Sequence, residues 1–180
     1  MKLLVANRGE IAIRIMRAAA ELNIPTVAVA PGDDAGSLHT GKADEAVTLE
    51  GSGSAAYLDM EQIIAVALAS GCDAVHPGYG FLAENAAFAD LCAVEGLTFI
   101  GPSPAALTLF GDKIQARKLA QSLDIPVVPG SSQPLTSPDD ALAVDLGYPL
   151  MLKARAGGGG RGMRVVENAT EMVAAFARCR

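Results

Sequence analysis

The segment whose composition most strongly indicates ligand binding is the glycine-rich AGGGGRG at 156–162. Consecutive glycines cost conformational entropy on folding, so they are expected where the backbone approaches a ligand closely or adopts a positive φ. Gly157, Gly159 and Gly162 satisfy GxGxxG, but the next residues, MRVVE, read as a strand, whereas a dinucleotide fingerprint opens a helix. No GK[ST] follows either. The context therefore excludes both the dinucleotide fingerprint and a Walker loop.

A strand, a glycine-rich loop and a returning strand predict a flap whose free N–H groups close over phosphate oxygens. The alternative is a flexible surface hairpin without a ligand, because glycine-rich loops are common. Lys153 ends the apolar stretch 148–152 just before the glycines. A lysine on an otherwise buried strand is costly unless an anion compensates its charge, and we expect a nucleotide phosphate.

Two further segments are candidates for binding. Lys113 stands at a predicted helix start, where a cation opposes the helix dipole, so it either extends into water or faces a bound anion. HPGYGFLAEN at 76–85 follows the fourth predicted strand, on the edge where α/β sheets bind ligands. The alternative for this segment is that His76 is structural and the glycines only shape a turn.

A charged stripe follows one face of the first predicted helix. Glu10, Arg14, Arg17 and Glu21 recur at i, i+4, i+7 and i+11, with a favourable Glu-to-Arg order. A solvated face is the simpler interpretation, and a polar subunit contact is the more specific one.

Short apolar runs alternate with segments of helical period. Strands are predicted at 2–6, 26–30, 46–49, 73–76 and 98–100, and helices at 9–22, 60–70 and 84–95. Buried strands that alternate with helices predict a parallel sheet covered on both faces. The fold class is therefore α/β, with a Rossmann-like domain over residues 1–110.

The rest of the chain predicts the beginning of a second domain. A bridging helix (Asp112–Leu123) and a Pro/Gly/Ser-rich linker occupy 111–130. Residues 131–180 then predict a short helix at 138–147, strands at 148–154 and 163–167, and a final helix opened by the capping pattern of Asn168 and Glu171.

Composition excludes several classes of protein. The net charge of −6 and the pI of about 4.8 argue against nucleic-acid binding and against anionic membranes. The 51% hydrophobic content is too high for disorder, and no apolar run approaches the ~20 residues that cross a bilayer. Three scattered cysteines and two histidines indicate neither a disulfide framework nor a zinc site. A cytoplasmic protein is expected, and no targeting leader is recognised at the N-terminus.

Taken together, several motifs resemble the N-terminal part of biotin carboxylase. They are ANRGEIAIRIMRAA at 6–19, ADEAV at 43–47, HPGYGFLAEN at 76–85, FIGPS at 99–103, GDK at 111–113 and YPLMLKARAGGGGRGMRVV at 148–166. The resemblance runs in order over essentially all of the chain. It implies a Rossmann-like (pre-ATP-grasp) N-terminal domain followed by the start of an ATP-grasp domain with its glycine-rich lid lobe.

The resemblance also implies an activity. Biotin carboxylases use MgATP and bicarbonate, through carboxyphosphate, to carboxylate biotin on a carrier protein or domain, and they supply a carboxyltransferase within acyl-CoA or pyruvate carboxylases. The alternatives are another ATP-grasp carboxylate ligase and a non-catalytic α/β interaction module. Because the family's magnesium carboxylates and catalytic Glu lie beyond the lid lobe, we expect no turnover from these 180 residues alone.

Site residues follow from the same resemblance, position by position. The ATP-binding set comprises Lys113, Lys153, Gly158, Gly159, Gly160, Gly162 and Met163, with Met163 beside the adenine pocket. The set at a homodimer interface comprises Arg14, Arg17 and Glu21. No catalytic residue and no metal ligand is assigned within the chain. Arg155 departs from the family, which usually has a small residue there, so it could add a phosphate contact or alter flap closure.

Overall fold

The protein is described by a computed structural model that covers residues 1–143, 146–154 and 162–179. The chain divides into two compact units, Met1–Thr108 and Leu109–Arg180. Among the helices that the structure describes, none combines the length and the apolar character needed to span a bilayer.

The first unit is an α/β fold built on a parallel sheet, as the sequence predicts. Its strands are β1 (Leu3–Val5), β2 (Thr26–Pro31), β3 (Glu45–Leu49), β4 (Ala74–His76) and β5 (Thr98–Phe99). Its helices are α1 (Gly9–Glu21), α2 (Gly53–Ala56), α3 (Met60–Ala69) and α4 (Ala86–Val94), and α5 (Pro104–Gly111) contains the boundary between the units. The strand order is β3-β2-β1-β4-β5, with every pairing parallel.

Alternate residues of the central strands supply two separate cores. On β1, Leu4 belongs to the cluster that also includes residues of α3 and α4, whereas Leu3 and Val5 belong to the cluster that includes residues of α1. Strands β1 and β2 are buried along their whole length, which explains their uninterrupted apolar sequences. Fully burying one such aliphatic side chain contributes about 1.5–3 kcal/mol, so these two strands anchor the sheet.

The strand order creates a topological switch point at the centre of the sheet. From β1 the chain moves to β2 and β3 on one side, and β4 and β5 then lie on the other side. Val5 and His76, the last residues of β1 and β4, are paired in register. In open α/β sheets, ligands bind in the crevice outside the carboxyl ends of the strands at such a point.

In the part of the second unit that the structure describes, a two-stranded antiparallel sheet is accompanied by α-helices. Its elements are α6 (Lys113–Ser122), α7 (Pro138–Ala143), β6 (Leu150–Lys153), β7 (Met163–Val166) and α8 (Met172–Arg178). A small core joins the two strands to α7 and α8. Its buried members are Ala141, Leu152, Val166, Met172 and Ala175.

Two predicted helix starts are corrected by their caps. Helix α4 begins at Ala86 and not at Glu84, because the Asn85 side chain accepts a hydrogen bond from the Phe88 N–H at 3.1 Å and thus occupies the N-cap. Helix α8 begins at Met172, after a 3₁₀ turn over Ala169–Glu171.

Neither hydrogen bond of the predicted capping box, between the Asn168 side chain and the Glu171 N–H or between the Glu171 carboxylate and the Asn168 N–H, is formed at the start of α8. The Glu171 carboxylate accepts from the Glu167 N–H at 3.2 Å. The side-chain Oδ1 of Asn168 caps no helical N–H and accepts instead from the Thr170 hydroxyl at 2.5 Å. Local hydrogen bonding between side chains therefore competes with the cap.

Candidate functional site

The β6–β7 hairpin brings three predicted ATP-binding residues together. Lys153 is paired with Met163, the first residue of β7, and Gly162 lies immediately before that strand. Directly opposed residues of an antiparallel pair project from the same face of the sheet. Lys153 and Met163 therefore share a face, and Met151 and Val165 share it too, because side chains alternate along each strand.

That shared face is open to solvent. The premise from the sequence that Lys153 lies on an otherwise buried strand is therefore wrong. Lys153 is exposed, Met151 and Val165 are 45% and 53% exposed, and only Leu152 of β6 is buried. Among the described residues, β6 is covered on one face only, by the core shared with α7 and α8, so it alternates between buried and exposed residues. Among the described residues Lys153 forms no ion pair, and its ammonium is available to an anion from solution.

A backbone hydrogen bond closes the described end of the hairpin. The Ala154 N–H donates to the Gly162 carbonyl oxygen at 2.8 Å. Gly162 has φ +71°, and a Cβ at this position would lie 2.7 Å from the Ala154 Cβ. Only glycine fits this conformation and this approach. The remaining predicted flap residues, Gly158, Gly159 and Gly160, lie outside the described residues, as does Arg155.

Lys113 belongs to a different element of the same unit. It is the first residue of α6 and is exposed. The Asp112 carboxylate caps this helix by accepting from the N–H groups of Ile114 and Gln115 at 2.9 and 3.1 Å. A carboxylate at the N-cap offsets the unfavourable position of a cation in the first turn. The local sequence thus tolerates Lys113 without requiring a bound anion.

In the first unit, a buried asparagine organises the turn that follows β4. Asn7, 3% exposed, donates through Nδ2 to the carbonyl oxygens of Pro77 at 2.6 Å and Tyr79 at 2.8 Å. Gly78 has φ +67°, and a Cβ there would lie 2.8 Å from that Nδ2. The sequence predicts no role for Asn7, because a single polar residue after a buried strand does not indicate which groups it binds.

His76 is structural within this turn. Its Nδ1 accepts a hydrogen bond from the Gly78 N–H at 3.0 Å. Burial lowers the pKa of the imidazole, which favours the neutral form that this acceptor role requires. His76 thus has a structural role in the turn, and ligand binding by the segment 76–85 stays a prediction.

Tyr79 is the side chain that the turn exposes to solvent. It is 61% exposed, and its hydroxyl donates to the Glu10 carboxylate. This hydrogen bond raises the pKa of Tyr79 and lowers the pKa of Glu10. Glu10 thus makes a specific contact at the switch point. Arg14, Arg17 and Glu21, the other members of the charged stripe, are exposed on α1.

Comparison with known proteins identifies the family. Residues 1–107 match the family model of the biotin carboxylase N-terminal domain. The chain belongs to the biotin carboxylase family. Residues 112–180 match a second model, the ATP binding domain of the carbamoyl-phosphate synthase L chain.

Relatives in the biotin carboxylase family resemble the whole of this chain. Biotin carboxylase from Nostoc is 49% identical over 97% of the chain and 40% of its own length. Pyruvate carboxylase from Staphylococcus aureus is 53% identical over 99% of the chain and 16% of its own length. The chain therefore spans less than half of the length of these curated relatives.

Solved structures of biotin carboxylases show the same fold. The biotin carboxylase domain dimer of Hydrogenobacter thermophilus 2-oxoglutarate carboxylase, in complex with MgADP, ADP and bicarbonate, has a TM-score of 0.95 at 45% identity. This likeness covers 99% of the chain and 40% of that domain. Biotin carboxylase from Campylobacter jejuni, in a β,γ-ATP complex, has a TM-score of 0.94 at 41% identity, over 99% of the chain and 41% of the solved one.

Proposed function

We propose that this chain is the N-terminal part of a biotin carboxylase that uses MgATP and bicarbonate, through carboxyphosphate, to carboxylate biotin on a carrier protein or domain. The observation that carries the proposal is the likeness over 99% of the chain to a domain solved with MgADP and bicarbonate. A carboxyltransferase is the proposed consumer of the carboxylated biotin. The match of residues 1–107 favours this function over another ATP-grasp ligase.

The ATP site is proposed at the open face and the glycine end of the β6–β7 hairpin. There the Lys153 ammonium would attract phosphate oxygens, and Met163 on the same face would offer an apolar contact to the base. Gly158, Gly159, Gly160 and Gly162 are proposed to present backbone N–H groups to the phosphates. Lys113, from α6, is proposed as a second cation for the same tail.

Magnesium would supply charge neutralisation during phosphoryl transfer, and we propose that its ligands lie outside this chain. Among the described residues, no group of three or more histidine, cysteine or carboxylate side chains is placed to hold a metal ion. Binding of nucleotide and transfer of phosphate are therefore proposed to depend on different parts of the enzyme.

This division predicts the behaviour of the isolated 180 residues. MgATP should bind weakly, with a dissociation constant of about 1 mM, because the hairpin supplies phosphate contacts without the metal ligands. Bicarbonate-dependent phosphate release should be absent. Calorimetry with MgATP and a phosphate-release assay with biotin and bicarbonate test the two statements. Absence of binding at millimolar MgATP would favour the non-catalytic module, and turnover would show that the metal ligands are within the chain.

We also propose that Arg14, Arg17 and Glu21 form part of a homodimer contact. They are exposed along α1, and an apolar groove of about 490 Å³, lined partly by Arg14, Ile11 and Leu22, runs beside them. Their partner residues are proposed to lie in the C-terminal lobe that the resemblance implies, outside these 180 residues. The 2-oxoglutarate carboxylase domain, similar to this chain, is a dimer.

Charge reversal tests the dimer contact. In a polypeptide that extends over the full length of the biotin carboxylase relatives, Arg17→Glu should convert dimers to monomers, because it reverses the charge that this residue presents to the contact. Sedimentation equilibrium measures the change. Lys42→Glu, a reversal at another exposed cation of the first unit, is the control and should leave the dimer intact. A dimer that tolerates Arg17→Glu would contradict the assignment.

A further inference from the structure

A second polar network lies beside the turn that presents Tyr79. The Arg8 guanidinium binds the Asp34 carboxylate in a bidentate ion pair, with Nε–Oδ2 and Nη2–Oδ1 distances of 2.5 and 2.7 Å. The Tyr57 hydroxyl donates to Oδ2 of Asp34 at 2.7 Å, and the Ser37 hydroxyl donates to Oδ1. Three segments, those that follow β1, β2 and β3, therefore converge on one carboxylate.

The position of Asp34 distinguishes this network from a ligand site. In dinucleotide-binding Rossmann folds, an acidic side chain in this part of the fold binds the ribose of the cofactor. Here Arg8, Tyr57 and Ser37 already occupy both carboxylate oxygens, and the Asp34 side chain is only 13% exposed. The hydrogen bonds from Arg8, which outweigh the effect of burial, hold the pKa of Asp34 well below its usual range. Both carboxylate oxygens therefore bind groups of the protein itself, unlike those of a ribose-binding acidic residue.

The network reaches the turn through an aromatic stack. The Tyr57 ring, 1% exposed, stacks on Phe81 with a centroid distance of 5.1 Å and an interplanar angle of 22°. Phe81 has φ +36°, a conformation that is unfavourable for a bulky residue and persists only when its surroundings impose it. It follows Tyr79 by two residues, so its conformation sets the direction in which the chain leaves the turn.

We infer that Arg8, Asp34 and Tyr57 are positioning residues that hold Phe81 in its left-handed conformation and thereby direct Tyr79 at the switch point. Asn7 holds one side of the turn through two hydrogen bonds, and the Tyr57–Phe81 stack holds the other. The relevance to carboxylation rests on the proposed function, because the turn lies at the sheet edge where ligands bind. The placement of Tyr79 itself does not depend on nucleotide binding.

The contact between Tyr79 and Glu10 provides the readout. Tyrosine labelled with ¹³C at Cζ would be titrated by NMR in the 180-residue chain without nucleotide, and Tyr79→Phe would assign its signal among the three tyrosines. In the wild-type chain the pKa of Tyr79 is raised by Glu10. Tyr57→Leu, which removes the stacked ring, should lower the pKa of Tyr79 toward the ordinary value of tyrosine, as Glu10→Gln should do directly.

Two variants separate positioning from general destabilisation. Tyr57→Phe keeps the stacked ring but removes its hydrogen bond to Asp34, so it should lower the pKa of Tyr79 by less than Tyr57→Leu does. Asp73→Asn removes a carboxylate that accepts from the Lys2 N–H at 2.7 Å. Asp73 precedes β4, at the end of the strand opposite the turn, so this variant should leave the titration of Tyr79 unchanged.

A folded Tyr57→Leu chain in which Tyr79 titrates as in the wild type would overturn the inference. If Tyr57→Leu does not fold, Asp34→Asn decides, since it breaks the ion pair while keeping the side-chain shape. It should lower the pKa of Tyr79, and an unchanged titration would overturn the inference. Failure of MgATP binding would count against the proposed function and not against this one.

Discussion

Replacing Lys153 by alanine should weaken MgATP binding to the 180-residue chain about ten- to a hundredfold. A hydrogen bond to a charged group contributes about 1.5–3 kcal/mol, and about 1.4 kcal/mol corresponds to a factor of ten in affinity. Lys153 is exposed at the glycine end of the hairpin and, within the described residues, no carboxylate neutralises it. Because wild-type binding is expected to be weak, the loss should bring the calorimetric heat below detection.

Lys42→Ala is the matched control for this experiment. Lys42 is also an exposed lysine, but it lies in the first unit, outside the residues that match the ATP-binding model. Its replacement should leave the affinity for MgATP unchanged, whereas a purely nonspecific attraction would weaken equally in both variants. Equal affinity of the Lys153→Ala and wild-type chains would remove Lys153 from the proposed site.

Replacing Gly162 by alanine should destabilise the β6–β7 hairpin more than a replacement that places a side chain at a positive φ without a steric clash. Alanine at φ +71° costs about 1–2 kcal/mol in backbone conformation. Its Cβ would also lie 2.7 Å from the Ala154 Cβ, a contact that flexible side-chain movement cannot relieve. Overpacking of this kind costs a further 1–3 kcal/mol, approximately.

Gly147→Ala isolates the steric part of this effect. Gly147 has φ +70°, nearly the same as Gly162, but a Cβ at Gly147 would meet nothing within 4 Å. Hydrogen exchange of the Ala154 amide, which donates to the Gly162 carbonyl, reports hairpin opening directly. Protection should fall much further in Gly162→Ala than in Gly147→Ala. Similar protection in the two variants would mean that the close approach to Ala154 does not constrain the hairpin.

Most regular elements of the fold were predictable because their signals are local. Burial of β1 and β2 requires continuous apolar runs, and helix ends are marked by nearby residues such as Asn23, which has φ +55° just after α1. Helix α5 is not among the predicted helices, because GPSP at 101–104 consists of residues that are typical of turns and loops. In the structure, the Ser103 hydroxyl accepts from the Ala106 N–H at 3.2 Å and Pro104 begins the helix, a combination that favours a helix start.

The candidate sites were less predictable where they depend on distant residues. The sequence predicts Lys153 as an anion ligand because its strand reads as buried, but how many faces of a strand are covered depends on the elements that pack on it. Asn7 was not selected at all, because its partners, Pro77 and Tyr79, are 70 and 72 residues away. A single asparagine carries no local sign of such partners.

The amino-acid sequence by itself determined the alternation of strands and helices, the glycine cluster that ends a strand, and the family to which the chain belongs. These features depend on residues within a few positions of one another and on motifs read in order. Only the tertiary structure decided that β1 and β4 are neighbours, which places Asn7 and Arg8 beside the Tyr79 turn, and that Lys153 lies on an open face. The reason is that strand order and the covering of a face are set by packing between segments far apart in the chain.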